Sequence, residues 1–529
     1  MGDKQGSIVK QENVVRLIKN GKKGIFHALF GRFGIVLAML IIQILVLFGM
    51  FRWFAGFVPH LWGGQMLFQA VMVIYLLNTD IDATAKNTWL IVMLILPVFG
   101  ALLFAYTQSE IGHRAVKQRI NILIGETKKE ILQNESTLEK LKTEDPGAAA
   151  LAKYVARSGC HPIYENTDVT YFAQGEDKYE ELLKQLELAK EFIFLEYFII
   201  DEGQMWGNVL EILKRKAAEG VEVRVMYDGT CEFALLPRDY PKRLEKIGIK
   251  SKVFSPVMPF VSTHYNYRDH RKILVIDGKV AFTGGVNLAD EYINKVNRFG
   301  HWKDTAIMLK GEAVNSFTLM FLQMWNINEK SPLFDKYMRH YPVENARRGF
   351  VMPFGDCPLD DDKVGEHVYM DMLNRAQNYI HIMTPYLILD GEMECAIKYA
   401  AERGVDVSLI LPGKPDKVAA YSLAKTHYAS LLNSGVKIYE YTPGFVHAKV
   451  CVADDREAMV GTINLDYRSF YHHFECAAYM QGVDCIGDIE KDFEATRLKC
   501  RTVKYNNIWA EHRVLRVLGR LMKAVAPLM

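Results

Sequence analysis

The sequence predicts an α/β protein built from two pseudo-symmetric halves that share one active site, preceded by an N-terminal helical membrane domain. Three observations support this fold class. Strand-like and helical segments alternate from about residue 155 onward, the same order of segments occurs twice, and a polar motif of identical spacing occurs in each copy. The 529 residues suffice for two or three domains. The apolar fraction of 50% is that of an ordinary folded protein.

The repeated order of elements is visible in the hydrophobic pattern. In the first copy, residues 191–200 form an apolar run that predicts a buried strand. A predicted helix over 206–218 ends at Gly220, and residues 221–229 alternate with the period of a strand. The second copy has a strand over 379–386, a helix over 391–403 ended by Gly404, and a strand over 405–413. An internal duplication accounts for this order, and alternating elements imply sheets covered by helices.

Three uncharged apolar segments precede the α/β part. They cover residues 33–51, 61–77 and 87–109. At a rise of ~1.5 Å per residue, segments of this kind can cross a hydrocarbon core of ~30 Å. A cleaved signal peptide has one short apolar run and not three. The sequence therefore predicts a multi-pass membrane protein. Basic residues on both sides of these segments leave the number of crossings and the side of the α/β part open.

The other predicted boundaries follow from composition. They are a basic tail (1–32), the transmembrane region (33–109), a charged connecting helix (110–150) that ends near Pro146, a first half (151–345), a second half (346–505) and an amphipathic C-terminal helix (506–529). In the last of these, apolar residues line one face and basic residues flank it. Such a helix suits an anionic membrane surface, and packing on its own domain explains the pattern equally well.

Two copies of the pattern H-x-K-x4-D carry the strongest functional signal. Each is followed, after six residues, by G-(G/T)-x-N. The two copies begin 177 residues apart, close to the 184 residues that separate the glycines ending the predicted helices. The motif residues are His270, Lys272, Asp277 and Asn287 in the first copy, and His447, Lys449, Asp454 and Asn464 in the second. A lone histidine is usually structural, but the repetition favours a site.

These residue types suit phosphodiester chemistry. On a strand, residues i and i+2 point to the same face, so the histidine and lysine of each copy project together. One imidazole can attack phosphorus while the other protonates the leaving alcohol, and two ammonium groups can neutralise the phosphate without a metal. We therefore predict both histidines, lysines and aspartates as catalytic, both asparagines as phosphate-binding, and no metal or cofactor. Eight scattered cysteines without a CxxC pair also give no zinc signature.

A carboxylate bonded to each imidazole would set its tautomer and charge. In the second half Glu475 is the candidate, 28 residues after His447. The same spacing in the first half falls on Arg298, which cannot serve. We therefore expect Asp304 to take this role for His270.

The duplicated motif resembles the signature of the phospholipase D superfamily, over about residues 155–505. Within that superfamily the chain is similar to bacterial-type cardiolipin synthases. The resemblance is carried by the stretch Asn87–Gly100, by Arg268–Ile273 around the first motif and by Asn464–Phe470 after the second. Many relatives have asparagine two residues before the glutamate, where this chain has His473. That difference concerns the hydrogen bonds around Glu475.

The resemblance implies two phospholipase D-like α/β/α halves and transfer of a phosphatidyl group. One phosphatidylglycerol would transfer it to an enzyme histidine and release glycerol, and a second would accept it to give cardiolipin. It implies His270 as nucleophile and His447 as acid and base, with the reverse assignment open. The implied partners are phosphatidylglycerol and anionic membrane lipids, without nucleic acid, in a bacterial plasma membrane. The oligomeric state stays open.

Other functions are compatible with these motif residues. A hydrolase, or a transferase with another alcohol acceptor, would use the same site. A membrane-anchored nuclease would need a basic groove, whereas 64 basic and 62 acidic residues give a net charge of only +2. A non-catalytic scaffold is disfavoured because both motifs are intact.

Overall fold

The computed structural model describes most of the chain. The described residues are 62–108, 114–159, 161–256, 267–330, 332–339, 348–360, 362–508 and 513–528, with Leu45, Phe48, Gly49 and Arg52. The predictions of a basic tail over 1–32 and of an apolar span over 33–51 lie almost wholly outside them. The helices before the first strand are α1 Trp62–Asn78, α2 Ala83–Ile95, α3 Pro97–Gln108, α4 Arg114–Thr127, α5 Glu135–Glu144 and α6 Pro146–Gly159.

Residues 87–108 of the predicted apolar segment 87–109 do not form one continuous helix, because the chain bends between α2 and α3. Proline has no N–H to continue a helix and disfavours helical backbone in the residue before it. Leu96, which precedes Pro97, accordingly has φ −129° and ψ 74°. The two helices then pack together, and a Cβ at Gly100 would lie 2.8 Å from the carbonyl oxygen of Val92. None of the described helices combines the length and the apolar character needed for a bilayer crossing.

The predicted single connecting helix over 110–150 is also wrong. The chain forms α4, α5 and the start of α6 instead. Asn134 caps α5 by accepting the N–H of Ser136 at 3.0 Å, and Asp145 accepts the N–H of Ala148 in α6 at 2.9 Å. Pro146 begins a helix rather than ending one, because the first turn leaves its N–H groups unpaired in any case.

The first α/β half follows. Its elements are β1 Thr167–Phe172, α7 Gly175–Glu187, β2 Phe192–Tyr197, α8 Gln204–Ala218, β3 Glu222–Asp228, α9 Cys231–Ala234, α10 Tyr240–Glu245, β4 Lys250–Phe254, β5 Arg268–Asp269, β6 Lys272–Ile276, β7 Val280–Gly284, β8 His301–Lys303, β9 Ala306–Gly311 and α11 Val314–Trp325. The sheet order is β1-β9-β7-β6-β2-β3-β4. Strands β2, β3 and β4 run parallel, and the other pairs in the sheet are antiparallel.

The second half repeats this sheet. Its elements are β10 Phe350–Asp356, α12 Val364–Arg375, β11 Tyr379–Met383, β12 Leu387–Ile388, α13 Gly391–Glu402, β13 Asp406–Pro412, α14 Val418–Asn433, β14 Lys437–Tyr441, β15 Gly444–Val446, β16 Val450–Ala453, β17 Glu457–Gly461, β18 Leu465–Asp466, α15 Tyr467–Tyr471, β19 His473–Gln481, α16 Ile486–Arg497 and β20 Cys500–Thr502. The order β10-β19-β17-β16-β11-β13-β14 matches the first sheet strand for strand, and β20 extends it. The predicted α/β class and repeated strand–helix–strand order are confirmed.

The two sheets share a hydrophobic core. Residues from both sheets and from α11 belong to one buried cluster, in which the rings of Phe194 and Phe321 stack at 4.6 Å. The opposite face of each sheet is covered by its own helices, in separate buried clusters. This arrangement brings the ends of β6 and β16, each preceded by a motif histidine, toward the junction of the two halves.

The C-terminal elements are α17 Tyr505–Ile508 and α18 Arg513–Lys523. Helix α18 packs on α14, because Gly519 lies against the carbonyl oxygen of Ser422 where a side chain would clash. The apolar residues Val514, Val517 and Leu521 stay exposed on α18. The sequence left membrane binding and domain packing open for this helix, and the structure shows that one of its faces is packed.

Candidate active site

One cavity of about 840 Å³ is lined by the histidine and the asparagine of both motifs. His270, His447, Asn287 and Asn464 line it together with apolar side chains. The apolar lining residues include Phe198, Phe233, Tyr292, Phe299, Trp302 and Tyr386. Both imidazoles therefore face the same space, although the histidines are far apart in sequence. The arrangement fits a substrate with a polar reacting group and apolar extensions.

Each motif histidine is bonded to a carboxylate through Nδ1. Nδ1 of His270 lies 2.9 Å from both carboxylate oxygens of Glu475, and Nδ1 of His447 lies 2.7 Å from Oδ2 of Asp304. Both carboxylates are fully buried. The sequence expected each carboxylate to serve the histidine of its own half, and that pairing is wrong. The two pairs cross between the halves.

Two short strand pairs explain the crossing. Strand β5 pairs with β19, and the N–H of His270 donates to the carbonyl of Phe474 at 2.9 Å, which places Glu475 beside the imidazole. Strand β15 pairs with β8, and the N–H of His447 donates to the carbonyl of Lys303 at 2.7 Å, which places Asp304 likewise. Each motif histidine is thus held by backbone of the opposite half.

The residue that follows each motif glycine lies against one of the two carboxylates that bind the imidazoles. The hydroxyl of Thr462 donates to Glu475, and the hydroxyl of Ser469 donates to the same carboxylate at 2.8 Å. The equivalent position in the first half is Gly285, where any side chain would collide with the carboxylate of Asp304. The difference between G-G and G-T in the two motifs therefore follows from which carboxylate lies opposite.

The motif lysines lie directly beside the imidazoles and are only 1% exposed. Nζ of Lys272 donates to the carbonyl of His270 at 2.5 Å, and Nζ of Lys449 lies 2.9 Å from Nδ1 of His447. Burial lowers the pKa of Lys272 to about 8. Burial and the positive charge of Lys272 lower the pKa of Lys449 to about 7, against the attraction of Asp304. A bound anion would stabilise the charged form of both lysine side chains.

The imidazoles are neutral near pH 7 in this structure. Burial, followed by the charges of Lys272 and Lys449, lowers the pKa of His270 well below its usual value. Burial and Lys449 lower the pKa of His447 to about 4, while Asp304 opposes that shift. With Nδ1–H donated to a carboxylate, Nε2 of each ring keeps its lone pair. Each Nε2 can therefore act as a nucleophile or accept a proton.

The motif aspartates do not lie in the cavity, contrary to the predicted catalytic role. Asp277 has φ 53° in the turn after β6, and its carboxylate accepts the N–H groups of residues 190–192 at 2.7–2.8 Å. Asp454 has φ 53° after β16 and accepts the N–H groups of residues 377–379 at 2.7–2.9 Å. The reason is the strand between the lysine and the aspartate, which separates them by roughly 16 Å. Both aspartates tie a turn to the start of the neighbouring strand.

We expect Asp277→Asn to lower stability and to leave the chemistry intact. An amide offers only one oxygen to three N–H donors, so the free energy of unfolding should fall by about 1–3 kcal/mol. Thermal unfolding should show a lower Tm, while activity per folded molecule at 20 °C stays near that of the wild type. Loss of activity without a lower Tm would show that Asp277 is needed for catalysis.

The motif asparagines line the cavity as expected. Oδ1 of Asn287 accepts the N–H of Ile199 at 3.0 Å, and its Nδ2 donates to the hydroxyl of Tyr292 at 2.7 Å. Oδ1 of Asn464 is buried and has no hydrogen-bond partner among the described residues. Their role in phosphate binding stays a prediction.

Two cavity residues were not predicted as functional from the sequence. His473 lies beside the first motif histidine, with 5.2 Å between the ring centroids of His270 and His473, and its Nδ1 is 3.4 Å from Glu475. Arg468 also lines the cavity and donates its Nε–H to Nε2 of His473 at 3.2 Å. Both residues lie close to Glu475 in the sequence, and His473 stands where many relatives have asparagine. These two features were the signals from which the sequence could have indicated His473 and Arg468.

Two clusters of possible metal ligands occur among the described residues. His270, His473 and Glu475 form one within the cavity, and His381 of β11 forms the other with Glu490 and Glu494 of α16. In the cavity cluster, the ammonium groups of Lys272 and Lys449 would repel a divalent cation. The donors there fit an imidazole–carboxylate pair better than a metal centre.

The sequence of this chain is similar to those of known proteins. Residues 182–325 and 369–497 match the family model described as "Cardiolipin synthase, PLD-like domain". Cardiolipin synthase 2 of Bacillus anthracis is 35% identical over 424 residues, which cover 80% of this chain and 82% of that protein. A protein of Streptococcus mutans whose name states no activity is 56% identical over 457 residues, 86% of this chain and 99% of that protein.

A solved structure shows the same fold. The phosphatidylserine synthase of Haemophilus influenzae Rd KW20 superposes with a TM-score of 0.56. The superposition covers 72% of this chain and 98% of that chain, at 14% sequence identity. At this identity the likeness concerns the fold, in which two α/β halves are joined.

Proposed function

Because the chain belongs to the cardiolipin synthase family of phospholipase D-like enzymes and is a phosphatidyltransferase, we propose that it makes cardiolipin and glycerol from two molecules of phosphatidylglycerol. The observation that carries this proposal is the pair of crossed imidazole–carboxylate contacts, His270 with Glu475 and His447 with Asp304, in one cavity. Two such imidazoles supply the nucleophile and the acid that a phosphatidyl transfer needs.

We assign His270 as the nucleophile and His447 as the acid and base. The nucleophile must keep its lone pair, and the burial and flanking charges of His270 hold its pKa well below the usual value. The acid must carry a second proton, and Asp304 opposes the lowering of the pKa of His447 by burial and Lys449. A phosphodiester anion bound beside these rings would favour their charged forms and raise both pKa values.

The reaction then has two balanced steps. Nε2 of His270 attacks phosphorus, the P–N bond forms, and the P–O bond to glycerol breaks as His447 gives its Nε2 proton to the leaving oxygen. In the second step an acceptor hydroxyl loses its proton to His447 and attacks phosphorus. The new P–O bond forms as the P–N bond breaks, and His270 is restored. Lys272 and Lys449 supply the positive charge that stabilises the phosphorane-like transition state.

A lipid substrate and a membrane location are supported by exposed apolar surface. Side chains more than half exposed are Met66, Leu67, Val71, Ile74 and Leu77 on α1, and Leu94 and Ile95 on α2. Helix α2 adjoins the cavity, because the hydroxyl of Tyr467, a lining residue, donates to Asp82 at its N-cap at 2.8 Å. Acyl chains could then stay in apolar surroundings while the phosphate enters the site. The span over 33–51 in a bacterial plasma membrane stays a prediction.

Product analysis tests the proposed function. Purified full-length protein in vesicles containing phosphatidylglycerol as the sole lipid should give cardiolipin and glycerol in equal amounts, measured by mass spectrometry and an enzymatic glycerol assay. Phosphatidic acid as the main lipid product would instead indicate a hydrolase. A phosphatidyl ester of another alcohol, formed in place of cardiolipin when that alcohol is added, would indicate a different acceptor.

The pH dependence of the reaction should reveal the motif lysines. We expect kcat/KM to fall as pH rises through about 7 to 8, since Lys449 and then Lys272 lose the proton that attracts phosphate. Bound phosphate favours the ammonium form, so the corresponding fall in kcat should occur at higher pH. Rates measured between pH 5 and 9 in phosphatidylglycerol vesicles give the alkaline fall of kcat/KM and that of kcat.

A matched pair of variants checks this assignment. Arginine stays charged throughout this range, so Lys449→Arg should shift the alkaline fall of kcat/KM upward, even if the rate itself is lower. Lys437→Arg, at an exposed position paired with Asp406, should leave the profile unchanged. An alkaline limb that is the same in Lys449→Arg and in the wild type would remove this lysine from phosphate binding.

A further inference from the structure

Arg468 is a cavity residue that the proposed chemistry does not use. It lies on α15, shortly after the motif residue Asn464, and lines the cavity. Its Nε–H donates to Nε2 of His473 at 3.2 Å. Within the described part of the chain, no carboxylate forms an ion pair with its guanidinium, although Asp466 is near enough to interact electrostatically. A half-buried guanidinium of this kind is a ready partner for an anion.

A second arginine lies on the same wall. The pairing of β5 with β19 sets Arg268 opposite His473. Arg268 also lines the cavity, donates to the carbonyl of Ser255 at 3.0 Å and lies 3.6 Å from Asp228. Burial lowers the pKa of Arg468, and the charge of Arg268 lowers it further. Two guanidiniums that repel each other would both be stabilised by one bound phosphate.

This pair is offset from the reacting phosphorus. His473 stands between Arg468 and His270, with 5.2 Å between the two ring centroids. The reacting phosphate of the proposed mechanism lies between His270 and His447, beside the two lysines. An anion at Arg468 would therefore be a second one, about one side chain away from the first.

The proposed acceptor carries such an anion. The attacking hydroxyl of phosphatidylglycerol lies at the end of a glycerol unit whose other end bears the phosphate, whereas water and free glycerol carry none. We propose that Arg468, together with Arg268, binds the phosphate of the acceptor lipid and so selects a phosphodiester lipid over a neutral alcohol. This inference rests on the proposed function, and it adds the part of the cavity that recognises the second substrate.

Competition between two acceptors tests the subsite. Full-length enzyme in phosphatidylglycerol vesicles with labelled free glycerol can form cardiolipin or labelled phosphatidylglycerol. Either acceptor hydroxyl forms its P–O bond as the P–N bond to histidine breaks and passes its proton to the other imidazole, so both products report the same chemical step. Because a charge-assisted hydrogen bond contributes ~1.5–3 kcal/mol, Arg468→Gln should lower the ratio of cardiolipin to labelled phosphatidylglycerol about tenfold or more. Arg468→Lys should restore part of it.

Two controls separate charge from structure. Arg215→Gln, an exposed arginine on α8 that pairs with Glu187, should keep the wild-type ratio. His473→Gln retains an acceptor for the N–H of Arg468 and should also keep the ratio, even if it slows both products. A change of ratio in His473→Gln as large as that in Arg468→Gln would overturn the subsite, because the effect would then pass through His473.

The remaining outcomes distinguish this inference from the proposed function. If the wild type makes cardiolipin but Arg468→Gln lowers both products equally, or leaves their ratio unchanged, the acceptor subsite is wrong and the proposed function stands. If the wild type exchanges labelled glycerol but makes no cardiolipin, the proposed function and the subsite both fail.

Discussion

Replacement of either motif histidine, His270→Ala or His447→Ala, is expected to reduce cardiolipin synthesis from phosphatidylglycerol by roughly 10⁴-fold or more. Each imidazole faces the shared cavity and is held by a buried carboxylate, so alanine removes both the reacting nitrogen and the contact that orients it. The alanine variants should remain folded, because the strand pairs that position these residues use backbone atoms. Lipid products measured by mass spectrometry, together with Tm, test this expectation.

The two variants should differ on a substrate with a good leaving group. A phosphatidyl ester of nitrophenol needs no acid to release its alcohol, so His447→Ala should still form a phosphatidyl-histidine at His270, and His270→Ala should form none. Mass spectrometry of protease digests at neutral or alkaline pH detects this acid-labile adduct. His367→Ala, outside the cavity and hydrogen-bonded to Tyr154, serves as the histidine control. An adduct on His447 in the His270→Ala variant would reverse the assignment.

The local pattern of apolar and turn-forming residues in the sequence was sufficient to predict much of this architecture. The tight turns at Asp277 and Asp454 depend on neighbouring residues alone, and both aspartates adopt positive φ there. The strands and helices around Gly220 and Gly404 follow from hydrophobic periodicity. The predicted family, a cardiolipin synthase of the phospholipase D superfamily, is confirmed by the comparisons.

The contacts that were predicted wrongly depend on distant residues. His270 and Glu475 are 205 positions apart, and His447 and Asp304 are 143 apart. The pairing of β5 with β19 and of β8 with β15 brings them together. Strands β5, β8 and β15 have only two or three residues each and leave little trace in a sequence. The role of the motif aspartates was misjudged for a related reason. Their shared spacing indicates a shared task, but the task is to anchor a turn.

The crossed pairs predict which histidine each carboxylate serves. Glu475→Gln should impair His270, and Asp304→Asn should impair His447, because an amide can hold the wrong tautomer and cannot stabilise an imidazolium. Each variant should lower cardiolipin synthesis roughly 10²- to 10⁴-fold. Both substitutions keep the shape of the side chain, so Tm measurements should show folded protein.

The nitrophenyl substrate separates the crossed arrangement from pairing within each half. Under the crossed arrangement, Asp304→Asn weakens only the acid and should recover adduct formation with the good leaving group, as His447→Ala does. Glu475→Gln weakens the nucleophile and should not recover, as His270→Ala does not. Pairing within each half gives the opposite result, with recovery in Glu475→Gln and none in Asp304→Asn. Because the two variants exchange behaviour between the arrangements, one experiment decides whether each half of the protein depends on the other for a working histidine.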